Sequence, residues 1–554
     1  MPTRQHMWDK LDGTFDLLVI GGGITGSGIA RDAARRGLSV AVVESRDLAS
    51  GTSSRSSKLV HGGLRYLEMY EFSLVFEAVS ERKILMDIAP HLVHPLGFLF
   101  PVYQDSRKPR WMINAGMWVY EGLSLFRVPK MHQNLDAEGV KKEEPALKQE
   151  GLSGAPKFYD CSTDDARLTL ETALDAVQSG AVVATYTKLT GFLFDESGVI
   201  RGATVVDQRT GQTKEILAHA VVNATGPWTD ATRALSAVNQ GTLLRPTKGV
   251  HIVVENARLP INNAVVCFHP KDKRVLFAIP WGDRTYIGTT DTDYQGDPAD
   301  VHADAADVAY LIDASNSYFP DHKIGPEDVI STWAGLRPLI APSGSDVGES
   351  QVSREHSILV GRDRLITIAG GKLTTYRRMA AEVVDTAVRL LQMSGHKPQL
   401  AHSPKTDTSA LPGAVGWPAD DDASKVAVQI ADAAGGRLGD DTCLKLALTY
   451  GMRGIQVAKR VAGDAALAER LVPGRPEILA QVDWAIDEEL AATCVDLMIR
   501  RTQLFYRDLD QGLGAIDKVA ERMAKKLGWD DAKRAAEAQA YRDEVALARR
   551  WKQG

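Results

Sequence analysis

The sequence predicts an α/β chain in which a Rossmann-like core is interrupted by a β-rich layer and followed by an all-helical C-terminal segment. Three observations carry that prediction. A β-forming apolar run, residues 15–20, meets Gly21-Gly22-Gly23 directly. The same passage from apolar run into glycine turn returns after 220–224 and after 365–369. Toward the C-terminus Ala, Glu, Lys, Arg and Leu dominate, with helical periodicity.

The elements follow in order. After the glycines, Ile24, Ile29, Ala30, Ala33 and Ala34 keep a helix spacing until Gly37, and residues 38–43 resume as a strand ending at Glu44. This is one βαβ unit. Residues 220–224 run into Thr225-Gly226-Pro227, and 365–369 into Gly370-Gly371-Lys372 and a helical pattern. If these strands are neighbours in one sheet, the core is discontinuous, built from 1–103, 157–244 and 355–393. The inserted segments 104–156 and 245–354, the latter rich in β-branched and aromatic residues, then supply a second layer. Pro398, Pro404, Pro412 and Pro418 mark 394–424 as a linker. Residues 425–554 read as a helical domain, with periodic stretches at 477–490, 516–527 and 531–551.

Composition limits the function. The chain has 554 residues, 44% apolar and 25% charged, enough to bury a sizeable core. Lys plus Arg is 65 against 71 for Asp plus Glu, a net charge of −6, which argues against a nucleic-acid binder. Cys161, Cys267, Cys443 and Cys494 are far apart and form no CxxC, so neither a zinc cluster nor a disulfide framework is predicted, and a reducing compartment fits. The first fifteen residues do not read as a signal peptide. Residues 111–126 are the most membrane-like stretch, but Asn114 and Glu121 interrupt it and it is too short to span. Asp291-Thr292-Asp293 imitates the opening of a calcium loop, yet its twelfth position is His302 instead of Glu, so no metal site is predicted.

Gly21, Gly23 and Gly26 complete a GxGxxG pattern between a strand and a helix. The first glycine permits the turn, the second admits a pyrophosphate, and the third lets helix and strand pack closely. Glu44, eighteen residues beyond Gly26, stands where a carboxylate accepts hydrogen bonds from ribose hydroxyls. The fingerprint alone leaves NAD and FAD open. Ser57, Lys58 and His61, in a run of hydroxyls and cations, could line a longer cofactor. Gly371, Leu373 and Thr374 sit between strand and helix, where backbone N–H groups would stabilise the negative charge of a reduced isoalloxazine.

The stretches DLLVIGGGITGSGIARDAARRGLSVAVVE, SSKLVHGGLRYLE, DDARL, NATGPW, KGVHIVV, IGTTD, GLRPL and GGKLTTYRRMA, in that order, closely resemble the aerobic, FAD-dependent glycerol-3-phosphate dehydrogenases. That family belongs to the flavoprotein superfamily of D-amino acid oxidase. The resemblance implies FAD as cofactor and oxidation of sn-glycerol 3-phosphate to dihydroxyacetone phosphate. Hydride would pass from C2 to flavin N5, and electrons then to a membrane quinone. It also implies a homodimer peripheral to the cytoplasmic face of a membrane, with 104–156 and 245–354 as its substrate-binding and membrane-proximal insertions.

A phosphate dianion calls for guanidinium forks or several cations, and the matched segments offer Arg65 with Tyr66, Arg337 and Lys372, with Arg354 a weaker positional match. Loss of the hydroxyl proton needs a base. His251 in KGVHIVV is the first candidate by resemblance and His61 the second. Arg337 could also polarise the reacting oxygen, Lys372 could serve phosphate or flavin, and Gly226 is expected at the cofactor. Converging cations favour phosphate over the carboxylate of an amine or amino-acid oxidase. An oxidase that uses dioxygen and a non-catalytic flavin scaffold are the other readings. Arg107-Lys108-Pro109-Arg110-Trp111, leading into Met112, Trp118, Val119, Leu123 and Phe126, suits an interfacial helix. Periodicity alone fits a buried core helix equally.

Overall fold

The computed structural model describes residues 3–63, 71–106, 108–123, 128–236, 238, 241–341, 355–400 and 403–553. Two sheets and a helical C-terminal region account for most of them. The first sheet runs in the order His356–Val360, Ile366–Gly370, Thr213–Asn223, Thr14–Ile20, Val40–Val43, Val182–Ala184, with Ile200–Asp207 and Thr187–Phe194 added beside Thr213–Asn223. Its central strands are parallel, so the runs before the three glycine turns are indeed neighbours. Being covered on both faces, these strands are apolar almost throughout. The Ile24–Arg35 helix lies between Asp165–Gln178 and Tyr376–Met393. A side chain at Gly28 would strike Tyr376, which explains the small residue there.

The second sheet contains Leu244–Glu255, Arg284–Gly288, Val275–Trp281, Ala264–Phe268, Val93–Leu99 and Leu152–Thr163, and Ser331–Ile340 pairs along Leu244–Glu255. Here the sequence-based boundaries differ from the structure. Val93–Leu99 and the 157–163 end of Leu152–Thr163, expected in the core, belong to this second sheet. They form an antiparallel pair whose free edge meets Ala264 and Val265. Apolar content is alike in both sheets, so only the pairing partner separates them.

Alternation along Leu244–Glu255 divides the second sheet into two faces. Val250, Ile252 and Val254 join Ala334 and Leu336 in one core, into which the Ala305–Tyr318 helix also packs. Thr247 and His251, with Arg337 and Trp333 respectively opposite them in register, lie on the other face. The C-terminal helices dock on that second face. Tyr506 packs edge-on against Trp333 and its carbonyl accepts from the Ser331 hydroxyl at 2.8 Å. The predicted linker is a packed connection: Leu411 and Pro412–Ala414 are buried, and the Arg31 guanidinium donates to the carbonyls of Thr406 and Ser409. Its prolines and glycines shape turns against the core. All four cysteines are free and buried.

Candidate active site

A cleft of about 870 Å³ opens at the carboxyl ends of the parallel strands, the position at which open α/β sheets bind ligands. Its floor is the first glycine turn. Gly21 has φ +110°, and a side chain there would press on the Ala224 carbonyl. A Cβ on Gly26 would overlap the Gly21 carbonyl oxygen, so this glycine packs helix against turn and does not itself line the cleft. Gly23 begins the Ile24–Arg35 helix with no side-chain cap, leaving the positive helix terminus toward the cleft. The Ile24 N–H donates to Ser53 Oγ at 2.9 Å.

Glu44 takes its place at the end of the second strand. It accepts from the Gly22 N–H at 2.6 Å and the Arg46 N–H at 2.8 Å. Burial pushes its carboxyl above the ordinary range, and those two N–H groups oppose the shift. Gly226, Gly371, Lys372 and Leu373 line the opposite side. Thr374 is buried behind them, and its hydroxyl exchanges hydrogen bonds with the backbone of His61. The glycine cradle, helix N-terminus and carboxylate together match what a dinucleotide pyrophosphate and ribose require.

Several cleft residues carry little sequence signal. Thr187 and Lys188 come from a distant strand, brought in where the Thr187 N–H donates to the Glu44 carbonyl at 2.7 Å. Arg46, Ser53 and Trp228 also line it; Ser53 and Trp228 stand inside recognisable segments, and no periodicity marks Thr187.

Ser57 and Lys58 do not line this cleft. The Lys58 ammonium is buried, 2.7 Å from Asp165, and lies over the rings of Trp333 and Tyr506. Burial would push it down, but Asp165 and its acidic neighbours outweigh that and raise it. Its charge is thus neutralised inside the protein, which corrects the expectation that it faces the cofactor. Ser57 Oγ instead bonds His251 Nε2 at 2.9 Å.

His251 belongs to a second constellation on the adjoining sheet face. Its ring stacks on Trp333, with centroids 4.6 Å apart, and is only 3% exposed. Nδ1 has no hydrogen-bond partner among the described residues. Burial, then Arg337 and Lys58, hold the imidazole pKa well below its ordinary value, so it is neutral at pH 7. Three glycines clear the sheet surface. A Cβ at Gly288 would enter the His251 ring, one at Gly249 would meet the Arg337 guanidinium at 2.7 Å, and one at Gly335 would meet the Arg55 carbonyl at 2.5 Å. Arg337 pairs with Asp291 at 3.0 Å, and the next residue, Pro338, lines the cleft. Thr52 Oγ1 donates to the Leu336 carbonyl at 2.6 Å and Trp333 Nε1 to the Ser56 carbonyl at 3.1 Å, tying cleft and sheet together. Arg65, Tyr66 and Arg354 lie outside the described residues.

The Arg110–Leu123 helix buries Met117, Tyr120 and Glu121 and turns Trp111, Met112, Trp118 and Val119 outward. Phe72 and Phe76, on the neighbouring Phe72–Ile88 helix, are also exposed. Phe126 and Arg107 lie outside the described residues. Among the described residues, no helix is long and apolar enough to cross a membrane.

Comparison with known proteins adds to this geometry. A family model described as FAD dependent oxidoreductase matches residues 16–377, and one described as the C-terminal domain of alpha-glycerophosphate oxidase matches 404–534. The chain is 37% identical to the aerobic glycerol-3-phosphate dehydrogenase of Staphylococcus saprophyticus, covering 98% of this chain and 95% of that one. It is 38% identical to the enzyme of the same name from Staphylococcus haemolyticus, covering 93% and 91%. Among solved structures, the glycerol-3-phosphate dehydrogenase of Bacillus halodurans complexed with FAD superposes with a TM-score of 0.81 at 32% identity, covering 99% of this chain and 98% of that one.

Proposed function

Since the chain belongs to the FAD-dependent oxidoreductases, within the family of the aerobic glycerol-3-phosphate dehydrogenases, we propose that it oxidises sn-glycerol 3-phosphate to dihydroxyacetone phosphate and passes the electrons to a membrane quinone. FAD, when bound, supplies the two-electron acceptor for the hydride leaving C2. Gly21, Gly23, Glu44, Gly226, Gly371 and Leu373 would hold it, with Thr374 and His61 fixing the turn from behind. The observation that carries the reading is His251 beside Arg337 on a sheet face cleared by glycines at the edge of the cofactor cleft.

Arg337 offers the fork that a phosphate or a developing carbonyl oxygen requires. Substrate phosphate would have to compete with Asp291 for it. Lys372, lining the cleft, adds a second cation. With Nε2 engaged by Ser57, Nδ1 of the neutral His251, buried and without a partner among the described residues, is the ring atom we assign to accept the hydroxyl proton. Arg65, Tyr66 and Arg354 complete the set of substrate groups that the sequence suggests. The exposed face of Arg110–Leu123, with Lys108 and Arg110 at its entrance, would rest in the headgroup region of an anionic bilayer and give access to quinone.

Anaerobic addition of sn-glycerol 3-phosphate to the yellow holoprotein tests this. Bleaching of the flavin band by this compound, and by neither glycerol nor a D-amino acid, is expected. Reoxidation should be faster with a quinone analogue than with air. Faster reoxidation by air would favour the oxidase reading, to which the match with the oxidase C-terminal domain points. Absence of bleaching would overturn the substrate.

A further inference from the structure

Asp47 lies three residues beyond Glu44 and is fully buried, yet it does not line the cofactor cleft. Its partners come from the far end of the chain. Arg500 Nε donates to Asp47 Oδ2 at 2.5 Å, and Arg501 donates through Nη1 at 2.7 Å and Nη2 at 2.9 Å. Two consecutive arginines on an α-helix would point about 100° apart. Residues Asp496–Arg501 form a π-helical turn, a rare geometry found frequently at functional sites, and here both guanidinium groups converge on one carboxylate.

The surrounding bonds extend the same connection. Tyr186, whose N–H donates to the Arg46 carbonyl at 2.9 Å, donates its hydroxyl to Asp496 Oδ1 at 2.6 Å. Arg500 Nη2 reaches that same oxygen at 2.8 Å, and Arg501 Nη2 also donates to the Glu489 carbonyl at 2.8 Å. On the cleft side, Ala49 N–H donates to the Gly22 carbonyl and Ser50 N–H to the Asp47 carbonyl. The segment from Glu44 to Ser53, seven of whose ten residues line the cleft, is therefore fastened from behind by residues of the C-terminal helices.

We propose that Asp47, Arg500 and Arg501 are positioning residues through which the C-terminal helices hold the Glu44–Ser53 flank in its cofactor-binding form, so that loosening this clamp releases FAD. A second aspartate, half-exposed in the turn between Val275–Trp281 and Arg284–Gly288, is also held by two arginines and provides a comparison away from the cleft. Asp283, on the second sheet, takes Arg475 at 2.5 Å and Arg507 at 2.7 Å from the C-terminal region, and none of the three lines the cleft.

Diluted holoprotein can be followed by the fluorescence of released FAD, with the unfolding midpoint measured alongside; this readout is independent of the substrate. Asp47→Asn is expected to speed FAD release by about tenfold. Arg501→Lys and Arg500→Lys, which keep the charge and lose the fork, should fall between it and the wild type. Asp283→Asn should release FAD at the wild-type rate even if it lowers the midpoint. If Asp47→Asn fails to fold, the two lysine variants carry the test. Wild-type release rates in the clamp variants, or equal acceleration by Asp283→Asn, would overturn the proposal.

Discussion

His251 Nε2 and Ser57 Oγ lie 2.9 Å apart, joining the strand that carries the imidazole to the segment running beneath the cofactor cleft. With Nε2 so occupied and the ring stacked on Trp333, the orientation of Nδ1 is fixed. His251→Asn should slow anaerobic flavin reduction by about 10²- to 10⁴-fold while leaving FAD content near that of the parent protein. Ser57→Ala should cost less. A His251→Asn protein that reduces its flavin at the original rate would return the proton-acceptor role to His61.

The same ring sets a pH expectation for the reaction. Burial, Arg337 and Lys58 hold its pKa below the ordinary value, and a base must be neutral to act. The rate of flavin reduction should therefore stay level from pH 8 down through about 6.5 and fall only in more acidic solution. A rate that halves near the pH of a free imidazole would contradict the assignment.

Arg337 is held by Asp291 at 3.0 Å. Arg337→Lys keeps the charge and loses the planar fork, so KM for glycerol 3-phosphate should rise by about tenfold or more. Asp291→Asn should shift KM the other way by removing a competing anion. Steady-state kinetics with a soluble quinone analogue decide both, and an unchanged KM in Arg337→Lys would remove the phosphate role.

Trp111 is 68% exposed and Trp118 53% exposed on the outer face of Arg110–Leu123. Replacing both by Asp should abolish co-sedimentation with anionic phospholipid vesicles, and added salt should weaken binding of the parent protein. Anaerobic flavin reduction should not change. Undiminished vesicle binding would place the membrane contact elsewhere.

His91 is fully buried beside Trp417, and neither ring nitrogen has a partner among the described residues. Burial, reinforced by Arg167, holds its pKa well below the ordinary value. The unfolded chain takes up the proton first as pH falls, so the contribution of neutral His91 is complete above about pH 6.5 and is lost below it, by at most about 1.4 kcal/mol per pH unit. His91→Phe should therefore lose less stability than the parent between pH 7.5 and 5.5 in thermal unfolding. Parallel curves for the two proteins would rule this out.

The glycine fingerprint, Glu44 and the three strand-to-glycine passages were legible because each is a local pattern with a local cause: a tight turn, a close approach, a strand end. His251 and Arg337 were singled out by resemblance alone, and spacing would not have chosen them among other histidines and arginines; the structure sets them on one sheet face. Thr187 was not legible, since a cross-strand bond to Glu44 brings it to the cleft. Lys58 was misplaced because a lysine among hydroxyls reads alike whether it meets a phosphate or a buried carboxylate, and Asp165 is more than a hundred residues away. The placement of Val93–Leu99 failed for a related reason, because strand composition does not name a partner.

The pairing of Leu244–Glu255 with Ser331–Ile340 sets His251 against Trp333 and Thr247 against Arg337, an even step that keeps imidazole and guanidinium on one side. Arithmetic parity is thus part of the proposed chemistry. Deleting a single residue between Trp333 and Arg337 would leave composition and length almost untouched, yet it would send the guanidinium into the apolar layer and present a leucine or proline to the substrate. The proposed reaction centre depends on the count of residues between two positions as much as on their identity, and a search for distant relatives that tolerates gaps in this strand would accept chains in which the two groups no longer share a face.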